Sequence, residues 1–236
     1  MNEAALMLAR GELPADFKCC CASIYESPAV RWLLGGELHP GGEALTLRAA
    51  ELTGVRAGDR VLDVASGAGA SALLLARRIG CEVVGLDYGA EAVASAAGVA
   101  RATGLAERVS FVRGDAESLP FADAAFDAVF CECSLCLFPD KQAAVAEMRR
   151  VLRPRGAISV SDVTAEPGLL PTELKGLGAQ VACVAAALPA HGYETLLGNA
   201  GFDPISTEPH PKELAALVDR VEARLRLARM ERGARG

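Results

Sequence analysis

The stretch Val61-Leu62-Asp63-Val64-Ala65-Ser66-Gly67-Ala68-Gly69 decides the fold of this 236-residue chain. Arg60 to Val64 is a short apolar run suited to a strand buried on both faces, and two glycines follow it directly, ahead of a helical pattern over roughly Ala70 to Ile79. A backbone without side chains lets a ligand approach at Gly67 and Gly69, and the N-terminus of the next helix then faces that ligand. The spacing Gly67-x-Gly69-x-x-Ala72 also fits a dinucleotide fingerprint, and a tight strand-to-helix turn with no ligand is the plain alternative.

Outward from this turn the alternation repeats. Glu82 to Asp87 is strand-like, Ala90 to Thr103 helical, Val109 to Arg113 strand-like, Ala124 to Cys131 a fourth strand, Lys141 to Leu152 a helix and Ala157 to Asp162 a fifth strand. Strands separated by helices of about 10–15 residues form right-handed βαβ units, so the spacing predicts a doubly wound α/β fold: a parallel sheet with helices on both faces. Residues 1–42, punctuated by Gly35-Gly36 and Pro40-Gly41-Gly42, read as a small helical cap, residues 43–208 as the ligand-binding domain and 209–236 as a long C-terminal helix. Leu170 to Ala187 and Tyr193 to Ala200 also read as helical, and Asp203 to Glu208 as a possible sixth strand.

Composition narrows the function. With 24 Lys+Arg against 30 Asp+Glu the net charge is −6, which gives no electrostatic footprint for nucleic acid or an anionic membrane. No window approaches ~18 uninterrupted apolar residues, and Met1 to Lys18 lacks the cationic start and apolar run of a signal peptide, so a cytoplasmic protein is expected. Eight cysteines are many, and six are clustered: Cys19, Cys20 and Cys21, then Cys131, Cys133 and Cys136. In a reducing compartment such clusters point to soft-metal or redox chemistry rather than a disulfide framework.

Three carboxylates lie at or beside the ends of adjacent strands. Asp63 opposes a pyrophosphate but suits an ammonium group; Asp87, 20 residues after Gly67, can accept from both hydroxyls of a ribose; Asp115 can accept from an adenine amino group. On VLDVASGAG, VVGLD, GDAESLPF, FDAVF and RVLRPRG before SVSD, the chain from about Glu43 to Phe202 resembles the class I S-adenosylmethionine-dependent methyltransferases, with their Rossmann-like sheet. The resemblance implies that Gly67 and Gly69 pack against S-adenosylmethionine, that Asp87 holds its ribose and Asp115 its adenine, and that Asp63, Tyr88, Ala116 and Cys131 complete the cofactor site.

A narrower resemblance, carried by Cys131-Glu132-Cys133-Ser134-Leu135-Cys136-Leu137-Phe138-Pro139-Asp140-Lys141 and by Ala182-Cys183-Val184-Ala185, is to the arsenite methyltransferases. It implies that Cys133 and Cys183 hold trivalent arsenic as thiolates, that an N-terminal cysteine, here Cys20 of the 19–21 trio, takes part in thiol exchange, and that a cellular thiol reductant is a partner. That family commonly has Asn where this chain has Glu132, an extra carboxylate able to act as a base. Two other readings stand beside this one. The first is a methyltransferase for an organic small molecule, with Glu132 or Asp162 as base; the second is a zinc or metalloid sensor using Cys19 to Cys21 with Cys133 and Cys136. Trp32 reads as packing and Tyr25 as equally suited to packing or to covering the site, while His39, His191 and His210 are scattered and read as non-catalytic.

Overall fold

Side-chain alternation along three central strands divides the core into two layers. Leu62, Val84 and Val129 face one side of the sheet, Val61, Val83 and Ala128 the other, and all six are buried. The computed structural model describes residues 17–35, 39–166, 186–203 and 206–233. Its elements are α1 (Phe17–Glu26), α2 (Pro28–Leu34), α3 (Gly42–Thr53), β1 (Arg60–Val64), α4 (Ala70–Ile79), β2 (Glu82–Asp87), α5 (Ala90–Ala102), β3 (Val109–Arg113), β4 (Phe126–Glu132), α6 (Lys141–Val151), β5 (Leu152–Ser161), α7 (Ala190–Asn199) and α8 (Pro211–Gly233).

The five strands pair in the order β3-β2-β1-β4-β5, each parallel to its neighbours, as the alternating pattern requires. The first layer packs the sheet against α6 and α7 through Ala144, Val145, Met148, Val151 and Tyr193, and the second packs it against α3 and α4 through Ala49, Ala50, Ala72, Leu75 and Ala76. Strand order reverses between β1 and β4, and a crevice opens at their carboxyl ends, where open α/β sheets take ligands.

Three expectations change. The fifth strand starts at Leu152 rather than Ala157, because the Arg153-Pro154-Arg155-Gly156 turn is absorbed as an irregularity: Phe126 pairs with Leu152, and two residues on, Ala128 pairs with Ala157, with Arg155 left-handed at φ 67°. No strand is present at 203 or 206–208; Glu208 instead forms a two-point ion pair with Arg48 of α3 (2.6 and 3.1 Å), and Thr207 donates to Glu194 of α7. Strand β3 ends at Arg113, so Asp115 stands in the loop beyond it. The helix expected over 170–187 lies largely outside the described residues.

The cap is tied to the sheet by charge. Lys18 of α1 bridges Asp115 and Glu117, Glu26 accepts from the Ala92 amide at the start of α5 (2.9 Å), and Arg224 of α8 donates to the carbonyls of Trp32 and Leu33, the last residues of α2. Among the described residues no helix is long and apolar enough to cross a membrane.

Gly69 shows why the turn after β1 needs glycine. Its φ is +81°, and a Cβ there falls 2.5 Å from the Phe111 ring and 3.1 Å from Ala96. Gly69→Ala is expected to cost about 1–3 kcal/mol of stability, read as a lower urea midpoint at unchanged slope; an unchanged midpoint contradicts this packing.

Candidate active site

The crevice is an open cavity of about 200 Å³ at the carboxyl ends of β1, β2 and β4, roofed by α1. Its floor is the turn Ala65-Ser66-Gly67-Ala68, and Ala65 (φ 59°) and Gly67 (φ 52°) are both left-handed. Two hydrogen bonds shape that turn: the Ser66 amide donates to Leu86 O (3.0 Å) and the Gly69 amide to Ser66 O (2.8 Å). Gly67 lines the cavity, and Gly69 packs against Phe111.

Asp87 ends β2 and faces the cavity. Its Oδ2 accepts from the Gly67 amide (2.7 Å) and its Oδ1 from the Gly89 amide (2.8 Å), which locks the carboxylate across the glycine turn. Burial pushes its pKa up, while the Gly89 and Gly67 amides pull it back. Tyr88, Asp115 and Ala116 continue the wall. Asp115 accepts from the Glu117 amide (3.0 Å) and from Lys18 (2.7 and 3.0 Å), so a cation from the cap engages both of its oxygens.

At the other end stand two buried acids. Asp63 is 2% exposed and Glu132 9%. Glu132 Oε2 accepts from Thr46 Oγ1 of α3 (3.1 Å) and from Ser71 Oγ of α4, and lies 3.5 Å from His39 Nε2. Asp63 accepts from the Ala72 backbone N–H, inside the first turn of α4, where the helix dipole favours an anion. One oxygen of each carboxylate, Asp63 Oδ2 and Glu132 Oε1, is buried without a hydrogen-bond partner, and so is Ser66 Oγ. Burial, then Glu132 and Asp87, push the Asp63 carboxyl well above its ordinary range.

The cysteines separate. Cys131 is fully buried in the first core layer, its thiol 3.1 Å from Ser134 Oγ, and burial pushes its pKa strongly up. Glu132, one residue on and on the opposite face of β4, lines the cavity. Cys133 lines the cavity with a left-handed backbone (φ 51°), its amide held by Ser161 O (2.6 Å); Cys136 is buried, and its amide donates to Asp162 (2.9 Å). In the N-terminal trio Cys21 lines the cavity and Cys19 is exposed, while the side chain of Cys20 and all of Cys183 lie outside the described residues. Among the described residues no group of three or more His, Cys, Asp and Glu side chains is arranged to hold a metal ion.

Sequence reasoning missed Lys18, Glu26, Thr46, Ser71 and His39. Of these, His39 carried the one available signal, a titratable side chain directly before the Pro40-Gly41-Gly42 turn that starts α3.

A doubly wound sheet with a carboxylate-clasped glycine turn at its switch point defines a nucleoside-binding α/β domain. Residues 56–201 match the model of a family described as "Methyltransferase domain", and the chain belongs to that family. It is similar to methyltransferase GfsG of Streptomyces halstedii, 39% identical over 53% of this chain and 45% of that protein. It is also similar to the arsenite methyltransferase of Halobacterium salinarum, 32% identical over 69% of this chain and 42% of that one. The chain thus spans less than half of either relative. Demethylmenaquinone, sterol and rifamycin methyltransferases match too. The solved Haemonchus contortus phosphoethanolamine N-methyltransferase 2, in complex with S-adenosyl-L-methionine, shares the fold: TM-score 0.74 at 21% identity, covering 100% of this chain and 53% of that one.

The residues present fit S-adenosylmethionine. Asp87 and the Gly67 turn suit a ribose, Asp115 an adenine amino group, and the bare carboxylate oxygens suit a cationic tail.

Asp63 is costly to keep buried. Because burial raises its pKa, the folded state holds the Asp63 proton more tightly than the unfolded chain; that contribution to stability is present at acid pH and is lost as pH rises above the ordinary carboxylate range. Asp63→Asn is therefore expected to raise the melting temperature of the ligand-free protein at pH 7–8 by about 2–4 °C or more, with the gain vanishing toward pH 3–4. Equal melting temperatures at both pH values contradict it.

Proposed function

We propose that the protein is an S-adenosylmethionine-dependent methyltransferase whose acceptor is a thiolate-bound metalloid, trivalent arsenic foremost. One observation supports the acceptor half: Cys133, with its left-handed backbone, stands in the wall of the donor cavity, while the two neighbouring cysteines at the end of β4, Cys131 and Cys136, are core residues. Backbone strain at a non-glycine residue in the cavity wall, its amide held by Ser161 O, is the kind of local cost that accompanies the placement of a reactive side chain.

Bound in the cavity, the donor supplies an electrophilic methyl group on sulfur. The chain's own residues do the rest. Gly67, Asp87 and Asp115 fix the adenosine, and thiolates from Cys133 and Cys183 hold trivalent arsenic. Arsenic is soft and prefers sulfur, and sulfur coordination leaves its lone pair directed away from the ligands, toward the methyl carbon. Cysteine positions the nucleophile and does not itself attack. Cys21, in the same cavity, is placed to contribute a further sulfur, and a cellular thiol reductant restores arsenic to the trivalent state.

A second reading, methylation of an organic small molecule, draws on Tyr25, Leu137 and Phe138, which give part of the cavity an apolar wall, and on the variety of acceptors named among the relatives.

Methyl-labelled S-adenosylmethionine, offered with arsenite plus glutathione in one arm and with a metabolite extract in the other, separates the two. Label is expected in methylated arsenic, and Cys133→Ser is expected to lower that turnover at least about 100-fold while changing donor affinity less than about twofold. Label only in an organic product, or full arsenite turnover by Cys133→Ser, overturns the metalloid reading.

A further inference from the structure

We infer that His39 is a catalytic base in the donor cavity, held against Glu132, and that the site therefore also methylates an acceptor that must lose a proton: a hydroxyl on an apolar small molecule. The inference goes beyond the metalloid reading, in which His39 has no role, and shares with it only the S-adenosylmethionine donor.

Methylation of trivalent arsenic releases no proton, because the lone pair that takes the methyl group carries no hydrogen. A hydroxyl acceptor differs. As its oxygen bonds to the methyl carbon, the carbon–sulfur electron pair leaves with the sulfur, the O–H bond breaks, and the proton needs a group to receive it. Imidazole is the side chain most often used for that near neutral pH.

The His39 ring is set for this work. Its side chain is 13% exposed and lines the cavity. Nδ1 lies 3.2 Å from the Pro40 carbonyl oxygen, which can only accept, so in the neutral ring Nδ1 carries the hydrogen and Nε2 keeps the lone pair. Nε2 in turn lies 3.5 Å from Glu132 Oε2. A proton arriving at Nε2 thus forms an imidazolium beside a buried carboxylate, which stabilises it. That carboxylate is fixed in place, since Thr46 of α3 and Ser71 of α4 donate to the same oxygen. The backbone is fixed too: Gly41, two residues on, is left-handed at φ +78°, and a Cβ there would run into the Leu45 side chain.

Other carboxylates of this region are already engaged. Asp162, one of the two bases expected from the sequence, accepts from the Cys136 amide through Oδ2 (2.9 Å) and from the Val163 amide through Oδ1 (2.8 Å). Asp87 holds two amides and Asp115 holds Lys18. Glu132, the other expected base, acts through His39 as its positioning residue. Tyr25, Leu137 and Phe138 give the same cavity an apolar wall, which suits the ring or alkyl body of an acceptor whose hydroxyl meets Nε2.

Methyl-labelled S-adenosylmethionine tests this with four acceptors at about pH 8: phenol, which is un-ionised there, 4-nitrophenol, which is largely ionised, a metabolite extract, and arsenite plus glutathione. The wild type is expected to form labelled O-methyl products from phenol and from the extract. His39→Gln is expected to lower both at least about 100-fold, and to lower 4-nitrophenol and arsenite methylation at least about tenfold less, because neither has a proton to give up. Imidazole added to His39→Ala is expected to restore phenol methylation at least about tenfold, which a merely structural role would not allow. Labelled arsenic with no O-methyl product on the wild type overturns the inference and leaves the metalloid reading standing; that arm is independent of how the variants fold. Equal His39→Gln losses on all four acceptors, or no rescue by imidazole, overturn it as well. Labelled phenol without labelled arsenic supports it and removes the metalloid reading, and if no acceptor is labelled the donor reading fails and the inference falls with it.

Discussion

Three carboxylates, Asp63, Asp87 and Glu132, are held at the carboxyl edge of one parallel sheet, and the cost of keeping them there organises this molecule. Asp63 is coupled to both of the others, and each is withdrawn from water to a large degree. The surrounding structure offsets part of that cost with donors: backbone amides of Gly67 and Gly89 for Asp87, the Ala72 amide for Asp63, and two hydroxyls for Glu132. Those donors come from the starts of helices and from the glycine turn, the places where a βα unit leaves amides unpaired. Asp63 Oδ2 and Glu132 Oε1 are left buried without a partner, in two residues that line the cavity.

Asp63, Asp87, Asp115 and Glu132 all line the one cavity. Cys133 then stands beyond Glu132, at the place where the chain leaves the sheet. The cap lies over the same opening, and its Lys18 and Glu26 clasp the loops after β3 and before α5.

The sheet was legible because its grammar is local. The apolar runs at 61–64 and 82–87 and the glycines after the first of them encode a buried strand and a tight turn within a dozen residues. Asp87 was legible for the same reason, its distance from Gly67 being fixed by one βαβ unit. Lys18, Thr46 and Ser71 were not, since nothing near them in the chain marks them; each acquires its role from a partner 61 to 97 residues away. That Glu132 lines the cavity while Cys131 lies in the core was not legible, because both strand faces are buried here and hydrophobicity does not say which opens onto the cavity. The expected sixth strand failed where side-chain pairing to Arg48 replaced backbone pairing.

Diffraction from crystals grown with S-adenosylhomocysteine tests the central claim most directly. The account predicts ribose hydroxyls on Asp87, the amino-acid tail running toward Asp63 and Glu132, and the sulfur directed at the Cys133 side of the cavity. Electron density for the adenosine on any other face of the sheet, or a tail turned away from the two acids, would contradict it.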